Sequence, residues 1–86
     1  MHNIIISKPF DKEFKKLPKE IRELAYHKIE LLLDNPKHSS LRLKKMIGTK
    51  NIWEISITMN YRITLEIEKD YILLRKIGPH DILRTP

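Results

Sequence analysis

Trp53-Glu54-Ile55-Ser56-Ile57-Thr58 and Tyr61-Arg62-Ile63-Thr64-Leu65-Glu66-Ile67-Glu68 decide the fold. In the first run, Trp53, Ile55 and Ile57 alternate with Glu54, Ser56 and Thr58. In the second, Tyr61, Ile63, Leu65 and Ile67 alternate with Arg62, Thr64, Glu66 and Glu68. Such alternation marks strands with one buried face and one wet face. Met59-Asn60 is short enough for a hairpin turn. Lys69-Asp70 leads in the same way to a third strand, Tyr71 to Ile77, which breaks at Gly78-Pro79. Paired residues share a face, and a slip of one residue would invert the whole pattern. Burying Ile55 and Ile57 with Tyr61 and Ile63 therefore puts Glu54, Ser56 and Arg62 together on the opposite face. That face is expected to be charged, open and free of helices.

Working back from this meander, Lys37 to Trp53 contains no Asp or Glu but carries Lys37, Arg42, Lys44, Lys45 and Lys50. It reads as an extended segment and loop at the sheet edge, with Gly48 at a turn. Before it, Ile21, Leu24, Ala25, Ile29, Leu32 and Leu33 recur at helical spacing and predict one apolar helix face. Pro18 suits the first turn of that helix. Asn35-Pro36 stops it, because a residue before Pro avoids the α region. Asp11 is the expected N-cap of a shorter helix through about Leu17, and Asn3 to Ser7 is a β-branched strand ended by Pro9. The order predicts an α+β domain: a strand, a helical hairpin, then a mainly antiparallel sheet with the hairpin on one face.

The chain has 86 residues, enough for one small domain spanning 1–86. Seventeen Lys and Arg oppose eleven Asp and Glu, giving a net charge of +6. That excess favours nucleic acid or another acidic partner. With no cysteine, disulfides and thiolate metal sites are excluded. His2, His27, His38 and His80 are too scattered to suggest a metal centre. No apolar run approaches the roughly 20 residues of a membrane span. The start, Met1 to Ser7, lacks the pattern of a signal peptide, so the expected compartment is the cytoplasm.

The chemistry these residues suit is phosphodiester cleavage. A base takes the proton of a 2′-OH, the oxygen attacks phosphorus in line, cations hold the phosphoryl oxygens, and an acid protonates the leaving 5′-oxygen. No cofactor is needed, since the nucleophile belongs to the substrate. Arg62 offers a guanidinium fork for phosphate. His80 is an acid able to exchange a proton near neutral pH. Glu54 and Asp81 are the candidate bases, and Arg42, Lys44, Lys45 and Lys50 the candidate RNA contacts. Simpler roles exist for each: Arg62 as cross-strand partner of a Glu, Glu54 as partner of a Lys, and Asp81 as a cap or as orienter of the His80 ring.

The arrangement as a whole resembles the RelE/ParE superfamily of type II toxin–antitoxin toxins. The resemblance runs through Phe14-Lys15-Lys16-Leu17-Pro18, Asp34-Asn35-Pro36, Leu43-Lys44-Lys45-Met46, Trp53-Glu54-Ile55, Tyr61-Arg62-Ile63 and Ile77-Gly78-Pro79-His80-Asp81. It implies a RelE-like β-α-α-β-β-β fold. It further implies an mRNA interferase of the RelE/YafQ-like branch, cutting mRNA in the ribosomal A site and silenced by a cognate antitoxin in a hetero-oligomer. Arg62 matches the phosphate-contacting Arg, and His80 matches the general acid of the YafQ-like and YoeB-like branches. The ParE-like gyrase poisons are the alternative branch, and a passive nucleic-acid-binding domain is a third reading. Two positions depart from the pattern. Ser56 stands where many members carry Arg or Lys, and Lys37 to Trp53 lacks the catalytic Glu of the YoeB-like branch, so Lys44 or Lys45 would have to help polarise the 2′-OH. Some relatives add a C-terminal helix; here His80-Asp81 is expected on a short, exposed tail.

Overall fold

Alternation in the meander dictates a sheet, and the apolar stripes of two helices dictate what covers it. A computed structural model describes residues 3–86. Of the four histidines, His2 lies outside the described residues. The elements are strand β1 (Asn3–Ile6), helices α1 (Lys8–Lys16) and α2 (Lys19–Asp34), and a 3-10 turn at Ser39–Leu41. Strands β2 (Lys44–Lys45), β3 (Ile52–Ser56), β4 (Tyr61–Ile67) and β5 (Tyr71–Pro79) follow, and then a 3-10 segment at His80–Arg84.

The five strands form one sheet in the order β1-β5-β4-β3-β2. β1 runs parallel to β5, and every other pair is antiparallel. A parallel return needs a crossover, and the helical hairpin supplies it. The register agrees with the alternation: Ile55 faces Ile63, Ser56 faces Arg62 and Glu54 faces Thr64. Phe10, Ala25 and Leu32 of the helices meet Ile55, Ile57, Ile63, Leu65, Ile72, Leu74 and Ile77 of the sheet side in one buried cluster. Trp53 and Tyr61 pack at its margin.

Four expectations are corrected. The first helix does not start at Asp11. Ser7 is its N-cap, accepting a hydrogen bond from the Phe10 amide at 3.2 Å, and Pro9 sits in the first turn, where a missing N–H costs nothing. Asp11 instead pairs with Lys15 at 2.9 Å. On α2, Leu24 and Leu33 remain exposed, because the sheet is wide enough to cover only the stripe through Ala25 and Leu32. The β3–β4 loop is wider than Met59-Asn60, running from Ile57 to Asn60 between the two strands. The residues after Pro79 are not a free tail. They fold back as a strap over the sheet face opposite the helices.

Candidate functional site

The wide β3–β4 loop is shaped by Thr58. Its hydroxyl accepts hydrogen bonds from the amides of Asn60 and Tyr61, both at 3.2 Å. The loop thereby turns two carbonyls toward the first wet position of β4. Arg62 occupies that position. Its Nη1 donates to Thr58 O at 2.5 Å and Met59 O at 2.7 Å, with Tyr61 O farther away at 3.3 Å. Its Nε is buried without a hydrogen-bond partner, and the nearest Glu54 carboxylate oxygen is 3.7 Å away. That separation is an ion pair without a hydrogen bond. The Arg62 and Glu54 side chains are only 11% and 17% exposed. Among the described residues, Nη2 has neither a protein acceptor nor a fully buried position, and it is the part of the fork best placed to meet a ligand.

His80 comes to the same hairpin from β5. Tyr61 pairs with Pro79 and Arg62 with Gly78. The next residue, His80, donates its amide to the Asn60 carbonyl at 2.8 Å. The Arg62 loop and the exposed imidazole therefore share one end of the sheet. Asp81 is exposed, and among the described residues it forms no ion pair. Glu54 lies on the Arg62 face, between Lys44 on one side and Thr64 on the other.

The basic residues separate. Lys44 is in register with Glu54, whereas Lys45 is in register with Trp53, so the pleat sends them to opposite faces. Arg42 adopts a left-handed backbone with φ 50°. It stands beside Ser56, Thr58 and Met59 along a cleft of about 260 Å³, close to the Arg62 loop. Lys50 is exposed in the β2–β3 connection. Ser56 is half-buried opposite Arg62 and adds no charge.

Sequence reasoning missed one basic surface. Lys8, Lys12 and Lys16 line a groove of about 660 Å³ between α1 and the end of β5, together with Lys76, the acidic Glu13 and an apolar wall that includes Leu17 and Ile82. The signal was the spacing of four residues between those lysines, which puts them on one helix face.

The family model for the ParE toxin of the parDE type II toxin–antitoxin system matches residues 4–83. Toxin RelE3 of Methanocaldococcus jannaschii is 30% identical over 80 residues, covering 86% of this chain and 85% of that protein. The chain belongs to the RelE/ParE superfamily of type II toxins. This RelE/ParE chain is similar to a RelB–RelE antitoxin–toxin complex from Methanococcus jannaschii, with TM-score 0.73, 28% identity and coverage of 94% and 95% of the two chains. YafQ of E. coli shares the fold at TM-score 0.81 with 15% identity, covering 96% of this chain and 98% of that one.

Proposed function

We propose that this chain is an mRNA-cleaving toxin that uses Arg62 and His80. The observation that carries the reading is the His80 amide bound to the Asn60 carbonyl, which sets an imidazole at the loop that holds Arg62. In the reaction, a base removes the proton of a 2′-OH and that oxygen bonds to phosphorus. The bond from phosphorus to the 5′-oxygen breaks, leaving a cyclic phosphate, and His80 gives the departing oxygen its proton. Arg62 would meet the phosphoryl oxygens through Nη2, the nitrogen not taken up by the loop carbonyls. Glu54 is the better base of the two carboxylates, because it lies beside Arg62 on the same face while Asp81 stands apart on the strap. Lys44, Arg42 and Lys50 would bind the RNA backbone, and Lys45 would contribute from the other face.

Related toxins occur in complexes with antitoxins, RelE with RelB and YafQ with DinJ. By that likeness this toxin is neutralised in the cytoplasm by an acidic cognate antitoxin, and when free it cleaves mRNA at the ribosome. A ParE-like gyrase poison is the second reading, favoured by the family model that matches the chain. Induction of the toxin in a bacterial host, with mapping of new 5′-hydroxyl ends on mRNA, separates the two. New ends that vanish with His80→Gln support the nuclease. A DNA-damage response with intact mRNA would overturn it.

A further inference from the structure

Resting on that reading for its catalytic consequence, we propose that Arg75 and Thr64 are positioning residues, fastening the C-terminal strap so that His80 is held beside the Arg62 loop. The core positions of β5 carry the first hint. Ile72 and Leu74 are two apart, but the next buried residue of this face, Ile77, is three farther on. One residue must be extra. The register places it: Thr64 pairs with Lys76 and Leu65 with Leu74, leaving Arg75 unpaired as a bulge. A bulge re-aims a side chain. Here it turns Lys76 to the face away from the helices, the face that Arg75 already occupies as the neighbour of buried Leu74, and there the Arg75 Nη1 donates to the Glu66 carboxylate at 2.9 Å. Its Nε donates to the Pro86 carbonyl at 3.1 Å.

Thr64 donates to the same carbonyl at 3.2 Å. It lies on the face expected to be open, yet it is 0% exposed, because the strap roofs it. Lys76 adds a bond from Nζ to the Thr85 carbonyl. At the other end, the His80 amide is tied to Asn60. Between the two anchors, Ile82 rests on Gly78 so closely that a Cβ there would stand 3.0 Å from Ile82 Cγ2. A single 3-10 segment of this length has too few internal bonds to hold itself in place. The polar ties to Arg75 and Thr64 therefore decide where the segment that carries His80 lies. Glu66 holds the Arg75 guanidinium by one charged hydrogen bond, in a half-buried pair.

Catalytic geometry is sensitive to such support, since a displacement of about 1 Å can cost on the order of a hundredfold in rate. Loosening the strap should lower kcat by roughly tenfold to a hundredfold with KM little changed, because Lys44 on the edge strand β2 and Arg42 beside the β3–β4 loop make no hydrogen bond to the strap. The direct readout is NMR of the full chain: the cross-peak between the Ile82 methyl and the Gly78 α-protons, and the order of the His80 amide. Thr64→Val and Arg75→Ala should weaken the cross-peak and disorder His80, while the methyl signals of Ile63 and Leu65 stay in place. Thr64→Ser, which restores the hydroxyl, should recover both the cross-peak and kcat. Thr64→Val is nearly isosteric with the native residue and Thr64→Ser loses only a methyl, so they decide the matter even if Arg75→Ala does not fold. An unchanged cross-peak in Thr64→Val overturns the proposal, and so does a lost cross-peak with unchanged kcat. A wild-type chain that cuts no RNA overturns the nuclease reading instead, and the cross-peak then still decides whether Arg75 and Thr64 hold the strap.

Discussion

The two faces of the sheet are held by different physics. On the helix face, Ile55, Ile63, Leu65, Leu74 and Ile77 are buried against Phe10, Ala25 and Leu32, and apolar contact alone organises them. On the other face, a short strap is tied down by Thr64, Arg75 and Lys76, and beyond it the surface opens toward Lys44, Glu54 and Arg62. The first arrangement is stable and indifferent to chemistry. The second places few groups, each by one or two directional bonds, and it carries the candidate site.

The largest expected effect tests whether chemistry resides on the strap face alone. His80→Gln should reduce RNA cleavage by about 10²- to 10⁴-fold, the range of a lost general acid. Its melting temperature should match wild type, because His80 is exposed. Cleavage at the wild-type rate would remove His80 from the mechanism. The opposite result is expected on the helix face. Leu65→Ala leaves a cavity in the core and should cost about 2–5 kcal/mol. In a domain of this size that lowers the melting temperature by at least about 8 °C, as calorimetry would record. A drop of only a degree or two would mean that the apolar face is not what holds the sheet.

Arg62 stands where the two regimes meet. Its guanidinium clamps the Thr58 and Met59 carbonyls, so Arg62→Ala should destabilise the hairpin by about 1–3 kcal/mol. Denaturant titration would measure this beside the loss of cleavage, and full stability in the variant would show that the loop holds without it. The smallest effect separates neighbours in sequence. Lys44→Ala should lower the salt dependence of RNA binding by about 0.7 in the slope of log K against log salt. Lys45→Ala, on the opposite face, should change it less. Equal slopes would mean that the RNA wraps the β2 edge instead of lying along one face.

Much of this was legible in the residues. The alternation from Trp53 to Glu68 put Ser56 and Arg62 on one face, as the register has them, and the stop at Asn35-Pro36 ends α2 where expected. The start of α1 was misread, because Asp11 and Ser7 are both competent caps and only the position of Pro9 in the first turn separates them. The site was legible as a parts list. The His80 backbone is tied to the Arg62 loop and Arg42 lines the cleft beside that loop, whereas Lys45 faces away from Lys44 and, among the described residues, Asp81 forms no ion pair.

Local pattern determined the strands, the helical hairpin and which residues share a face of the sheet, because each depends on a periodicity of burial written into neighbouring residues. The tertiary structure decided that Arg62 is committed to loop carbonyls, that Lys44 and Lys45 part company, and that the residues after Pro79 return across the sheet. The return of the strap hangs on single hydrogen bonds between residues far apart in the chain: 22 positions between Thr64 and Pro86, and 11 between Arg75 and Pro86. Bonds of that kind leave no period in a sequence, since any one donor among many would satisfy the same carbonyl, and only the folded chain selects it.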